Sequence, residues 1–353
     1  MKRNGNTNIS VSVIIPSRNE ERFIGKCIDS LLAQDYPIDR LEILVVDGVS
    51  EDGTRTIVET YSRQYPLIRL LDNPLKITPC AFNIGIKNAK GDFIFIASSH
   101  SGYPRHFIRS GIEHLEKTGA DVVGGPIITL PGADTYTAKS IALITSHPFC
   151  VGNSKFRTTK KAGYVDTVPF GIYRKDVFHK VGGFNEKLAR NQDNEMSDRI
   201  IKSGGRIYFT PDLTATYYNQ STISGLVRQA IKTGMWNIIT LKISKTALSW
   251  RHFIPLIFVV TLLTFSILLP FSTLARILLS VLLGLYGTAA AVSAFHIGLR
   301  SGMRYVWFLP LLFFLYHVSY GIGSLRGLIR LRSDDPVDLH SVPDIKTTHT
   351  NDK

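Results

Sequence analysis

Cysteine is scarce, with Cys27, Cys80 and Cys150 the only three in 353 residues. An odd and widely spaced set excludes a disulfide framework and fits a reducing compartment. Zinc-finger spacing, aromatic RNA-binding motifs and long Lys/Arg runs are all missing, which argues against nucleic acid as a partner. The N-terminus, Met1-Lys2-Arg3-Asn4-Gly5-Asn6, lacks the apolar core of a signal peptide, so the first domain is expected to stay in the cytosol. An acidic surplus is also missing: 41 Lys and Arg face 28 Asp and Glu, a net charge of +13. Such a surface suits an anionic membrane face or a diphosphate-bearing substrate. No internal repeat or low-complexity tract is visible.

Toward the C-terminus charge itself disappears. Phe253–Ala275, Ile277–Leu299 and Tyr305–Leu325 carry none. Each exceeds or matches the ~20 apolar residues that cross about 30 Å of hydrocarbon. No sequence remains to cover three such helices as a soluble core, so insertion in the cell membrane is expected. Lys242, Lys245 and Arg251 before the first segment, with Arg300 and Arg304 between the second and third, put the N-terminal domain on the cytosolic side. Three full crossings would leave Arg326, Arg330 and Arg332 outside, against the positive-inside trend. Ser319, Gly321, Gly323 and Ser324 interrupt the third segment, so a re-entrant or interfacial course is the alternative. The expected organisation is a cytosolic domain over 1–220, an amphipathic interfacial segment over 221–250, two to three transmembrane helices over 251–330 and a polar tail over 331–353.

Within the first domain one run is the most informative. Leu41-Glu42-Ile43-Leu44-Val45-Val46 ends in Asp47, followed by the small-residue turn Gly48-Val49-Ser50 and a helix start at Glu51-Asp52-Gly53-Thr54. A buried parallel strand delivers a carboxylate in this way to the open edge of an α/β sheet, where ligands bind. Val11–Pro16 followed by Ser17-Arg18-Asn19-Glu20-Glu21 has the same design. Periodicity predicts helices over 21–33, 53–62, 79–87 and 193–203, and strands over 41–46, 67–71, 93–97, 121–125 and 206–210. The alternation implies a doubly wound, mostly parallel α/β sheet. From about 126 to 220 the pattern is irregular, and the polar stretch 152–166 reads as a substrate-covering loop. A nucleotide dehydrogenase would need Gly-x-Gly-x-x-Gly after the first strand, where Ser17-Arg18-Asn19-Glu20 stands instead.

Pro16-Ser17-Arg18-Asn19-Glu20, the turn Val46–Thr54, Val181-Gly182-Gly183-Phe184-Asn185-Glu186 and Asn191-Gln192-Asp193-Asn194-Glu195 occur in that order. Together they resemble the inverting GT-A glycosyltransferases of family 2. Asn73-Pro74 and Val165–Arg174 are similar to the exopolysaccharide, succinoglycan-type branch. The resemblance implies a GT-A mixed sheet followed by a C-terminal transmembrane helical region. It also implies transfer of a single sugar, with inversion, from a nucleotide-sugar donor (a UDP-sugar) to a polyprenyl-linked saccharide. Further partners are the membrane and polysaccharide-assembly proteins.

Site residues follow from the same resemblance. Pro16, Arg18, Glu20, Asp47, Lys76 and Ser98 fall in the donor pocket, with Asp47 accepting from the uracil ring. Capping the helices that follow them is a plainer role for Glu20 and Asp47, compatible with donor binding, and Lys76 could equally be a solvated surface lysine. Asp193 matches the catalytic carboxylate, with an N-cap as its plainer role and Glu195 as the fallback base. Relatives carry Asp-x-Asp or Asp-x-His after the fourth strand, for Mg2+ or Mn2+ bridging the diphosphate. Here the sequence is Ser98-Ser99-His100, so only His100 keeps a ligand type. Serine is a poor ligand for Mg2+, which takes hard oxygens, and a nitrogen ligand favours a transition ion such as Mn2+. Residual metal use through His100 is expected, with metal-free catalysis or a silent scaffolding protein as alternatives. Arg228, Gln229 and Trp236 fall on 221–241, read as an acceptor-side or membrane-interface helix. The Gln-x-x-Arg-Trp pattern of processive synthases is broken there, so polymerisation is not expected.

Overall fold

The computed structural model describes residues 9–152 and 161–332. The first half runs β1 (Val11–Ser17), α1 (Ile24–Leu32), β2 (Leu41–Asp47), α2 (Thr54–Gln64), β3 (Ile68–Asp72), α3 (Thr78–Asn88), β4 (Phe93–Ile96), β5 (Ser101–Gly102) and α4 (Phe107–Thr118). Then come β6 (Val122–Gly124), β7 (Ile127–Leu130), α5 (Tyr136–Ser146), α6 (Pro148–Val151), β8 (Gly163–Val165), β9 (Ile172–Arg174), α7 (Asp176–Val181) and α8 (Gln192–Lys202). The rest is β10 (Ile207–Phe209), β11 (Ala215–Tyr218) and four long helices: α9 (Ile223–Ile243), α10 (Ile254–Leu268), α11 (Thr273–Ser301) and α12 (Leu309–Arg332).

Near-continuous apolar runs make β1 and β2 suited to the sheet centre, where both faces are covered. Side chains alternate across the sheet: Val13 and Ile15 join the core formed with α1 and α4, while Ile14 joins the one formed with α3 and α8. The main sheet has eight strands in the order β3-β2-β1-β4-β9-β6-β10-β8. Pairing is parallel among β1 to β4, and β9 lies antiparallel between β4 and β6. The sheet is therefore mixed, as the family resemblance implies. Its winding reverses between β1 and β4, the place where open α/β sheets bind ligands beyond the strands' carboxyl ends. In-register pairing sets Ser17 beside Asp47 and Asp47 beside Asp72 at that edge.

Several boundaries differ from the sequence expectation. The helix expected from 21 starts at Ile24, because the N–H groups of Phe23 and Ile24 both donate to the Glu20 carbonyl in a tight turn. Helices α4 and α5 are unmarked in the sequence reading, and α5 organises part of the stretch from about 126 to 220 that reads as irregular. Of the expected covering loop, residues 153–160 lie outside the described residues, as do 333–353 of the expected tail.

The C-terminal region needs two corrections. First, Trp236 does not face lipid from the segment 221–250. That side chain is 3% exposed and packs with Leu188, Met235 and Ile239. Second, the small residues of the third apolar segment do not break it. The segment is one continuous helix, α12, and Gly323 sits where any Cβ would lie 2.1 Å from the Ile231 carbonyl oxygen. Small residues let helix backbones meet, so here Gly323 and Ser324 mark a contact with α9 and Gly321 one with α10, not a kink.

Candidate active site

Loops at the carboxyl ends of β1, β3 and β4, with the segment before β9 and the start of α8, enclose one cavity of about 340 Å³. Pro16, Arg18 and Glu20 reach it from β1, Lys76 from β3, Ser98 and His100 from β4, and Asp193 from α8. Seven of the residues singled out in the sequence thus share a single cavity. The backbone there is unusual. Among the described residues, the non-glycine ones with positive φ are Asn19, Val49, Lys76, Phe170 and Asn191, all in loops at this end of the sheet. Sparsely populated conformations persist where the surroundings over-determine them, and they cluster at functional sites.

Asp47 does not line the cavity; its neighbour Gly48 does. The carboxylate is 1% exposed and clasps the following turn. It accepts from the Ser50 hydroxyl at 2.5 Å and the Ser50 N–H at 3.1 Å, with Arg55 3.6 Å away. Capping is not its role, since helix α2 begins beyond that turn, where the Thr54 N–H donates to Asp52. Glu20 does not cap α1 either. Its Oε1 meets His100 Nδ1 at 2.8 Å across the gap between β1 and β4. Glu195 is removed as a fallback base. It is 5% exposed and holds Arg199 through both oxygens, at 2.7 and 2.9 Å. Arg199 in turn donates to the carbonyls of Val181 and Gly183, which joins two sequence motifs in one clamp.

Asp193 opens onto the cavity from the first turn of α8 and accepts the Asn194 N–H at 2.9 Å. Asn191, not Asp193, stands at the N-cap position of that helix. Asp193 stays exposed to solvent at the cavity mouth, yet the protein packed around it partly desolvates the carboxyl and raises its pKa, while the Asn194 N–H and the nearby Arg190 guanidinium pull it down. Arg190 was not singled out in the sequence. It donates to Thr233 Oγ1 on α9 at 3.2 Å. Asn191, in left-handed conformation, donates to Asn237 and Thr240 of the same helix. The turn carrying Asp193 is therefore fastened to α9, so Arg190 was detectable only from tertiary structure.

Three polar atoms of cavity-lining residues, Ser17 Oγ, Asn73 Oδ1 and Gln192 Oε1, are buried with no hydrogen-bond partner among the described residues. Buried polar groups are almost always satisfied, so these atoms are available to a polar ligand in the cavity. The sequence signalled Asn73 and Gln192 only as motif neighbours. Arg228, Gln229 and Trp236 do not reach the cavity.

No cluster of three His, Cys, Asp or Glu side chains occurs among the described residues. The pair that is present does suit a metal in one respect. Metal-bound histidines usually donate their second ring N–H to a carboxylate, which fixes the tautomer, and Glu20 stands at that position on His100.

A mixed α/β sheet with a polar cavity beyond the carboxyl ends of its strands is the GT-A fold. Residues 12–182 match the glycosyl transferase family 2, and this stretch is a domain of that family. Over 328 residues it is 28% identical to dolichyl N-acetyl-alpha-D-glucosaminyl phosphate 3-beta-D-2,3-diacetamido-2,3-dideoxy-beta-D-glucuronosyltransferase of Methanococcus voltae, covering 91% of this chain and 97% of that protein. It is 29% identical to succinoglycan biosynthesis protein ExoA of Rhizobium meliloti over 225 residues, 63% of this chain and 67% of that one. Among solved structures, mannosyltransferase PcManGT from Pyrobaculum calidifontis, in complex with GDP-Man and Mn2+, superimposes with a TM-score of 0.57 at 18% identity, over 90% of each chain. The protein is a glycosyltransferase.

Proposed function

We propose that this enzyme transfers one sugar from a UDP-sugar to a lipid-linked saccharide, with inversion, while held at a membrane. The observation that carries the reading is the shared cavity, in which Asp193 lies among Arg18, Lys76 and the Glu20–His100 pair. The acceptor hydroxyl attacks the anomeric carbon, the bond to the diphosphate oxygen breaks with its electron pair, and Asp193 takes the hydroxyl proton. Arg18 and Lys76 offset the charge that grows on the leaving diphosphate. Asn73 and Ser17 supply polar atoms for base and ribose, and Asp47 acts indirectly by shaping the turn beside them. Support for the acceptor comes from the Methanococcus relative, whose name describes action on a dolichyl N-acetylglucosaminyl phosphate and whose likeness extends into the C-terminal helices. The test is donor binding by thermal shift across a panel of nucleotide sugars, followed by transfer to a polyprenyl-linked saccharide. Binding without turnover would favour the scaffolding alternative raised by Ser98.

His100 Nε2 would hold Mn2+ together with the donor's own diphosphate oxygens, and the ion would supply charge stabilisation to the leaving group. The expected result is that chelator weakens the thermal shift given by UDP, that Mn2+ restores it better than Mg2+, and that His100→Ala loses the metal response. A ligand bound only by the native state raises the melting temperature, so the readout is independent of turnover.

Asp193 also predicts a pH profile. A protonated carboxyl cannot accept a proton, so kcat falls as pH drops through the raised Asp193 pKa. Arg190 lowers that pKa, so Arg190→Met moves the acid limb to higher pH. Measured kcat against pH for both forms checks the sign.

A further inference from the structure

Between His252 and Leu299 the sequence has one charged residue, Arg276. Trp250–Leu268 forms 19 helical residues of which 6% are buried in its most apolar window, a length of about 28 Å. The link Leu269–Ser272 is short, and Phe258 of α10 stacks on Tyr286 of α11 at 4.7 Å, so the two helices form a hairpin returning to the same level. Arg276 lies at its tip, where its Nε donates to the Leu269 carbonyl. At the base stand Trp250, 76% exposed, and beyond α11 Trp307, 90% exposed. Tryptophan favours the head-group level.

The third apolar helix takes a different course. Phe314 of α12 lies 6.4 Å from Phe258, and two turns later a Cβ on Gly321 would lie 2.4 Å from the Pro255 carbonyl oxygen. Two turns of α12 thus meet a single turn of α10. It crosses the foot of the hairpin and does not run beside it to the tip. Past that point its backbone meets α9: a Cβ on Gly234 would lie 2.0 Å from the Tyr320 carbonyl oxygen. Helix α9 is in turn bonded to the loop of Asp193 through Thr233 and Asn237. The end of α12, with Arg326 and Arg330, is therefore fixed on the side of the sugar-transfer domain.

We propose that the α10–α11 hairpin alone crosses the bilayer, and that α12 lies across its base and returns to the catalytic side. This rests on the membrane-held reading above and adds the number of crossings. Lys242, Lys245, Arg251, Arg300, Arg304, Arg326 and Arg330 then share one side, as the positive-inside trend asks, and the conflict of a third crossing disappears. Only Arg276 reaches the far head groups. Shallower insertion would leave it in hydrocarbon, which a charged guanidinium disfavours. The lipid bilayer, not a second copy of the chain, is the occupant of the apolar face, because a cation at the tip needs water or phosphate around it.

The test labels the full chain in membrane vesicles of both orientations with an impermeant maleimide. Cys27, Cys80 and Cys150 are buried, so the unaltered chain is the blank. Ser272→Cys should react from the face opposite to that labelling Glu113→Cys on the catalytic domain, and Ile329→Cys from the same face as Glu113→Cys. Reaction of positions 272 and 329 from one face and of 113 from the other would establish three crossings and overturn the proposal. Reaction of 272 and 113 from one face would show that the hairpin does not cross, and would overturn it too. Release of the chain to the soluble fraction by alkaline carbonate, as a dimer or otherwise, would overturn the membrane-held reading itself.

Discussion

Asp193→Asn should lower transfer by roughly a hundredfold or more, the scale of a general base, while UDP binding stays near that of the unaltered enzyme. Asparagine keeps the volume and the oxygen that accepts the Asn194 N–H, so the first turn of α8 holds its shape. What disappears is the ability to take a proton from the attacking hydroxyl. Glu195 cannot substitute, because both of its oxygens are occupied by Arg199. Initial rates with donor and acceptor, beside a UDP titration on the same preparation, separate the two effects. A variant that turns over normally would transfer the base role to another group, and one that loses UDP binding would make Asp193 a donor ligand.

The second large effect concerns the contact between α9 and α12. Alanine normally exceeds glycine in a helix by about 1 kcal/mol. At Gly323 the sign should reverse, because the added carbon would lie 2.1 Å from a backbone oxygen of α9 that cannot rotate away. Overpacking of this kind costs about 1–3 kcal/mol, so Gly323→Ala should melt earlier in detergent than the unaltered chain. Gly284→Ala is the control: nothing stands within 4 Å of its added carbon, and its melting temperature should hold or rise. Equal behaviour of the two variants would mean that α12 does not touch α9 as described.

The alternation of strand and helix over the first hundred residues was legible because each buried strand is an unbroken apolar run ending in polar turn residues. Asp47 and Glu20 were correctly placed at strand ends, since strand length and turn chemistry fix that locally. Their partners were not legible. Glu20 meets His100, 80 positions away, and no local pattern encodes that spacing. Asp47 turned inward to Ser50 because its own turn offers two donors within hydrogen-bond reach. Trp236 looked like an interface residue because an isolated tryptophan beside arginine and lysine has that signature. Its burial depends on Leu188, which arrives from a different part of the chain.

The sequence by itself determined the layered α/β core, the polar strand ends that form the cavity, the apolar length able to span a bilayer and the family. These follow from patterns a few residues long, where side-chain chemistry and chain geometry act directly. Tertiary structure alone decided that Asp193 is tied through Arg190 and Asn191 to α9, that Glu195 is occupied, and that α12 lies against α9. Those outcomes depend on which distant surfaces meet, and the meeting is set by packing of whole elements, which no short stretch of sequence contains.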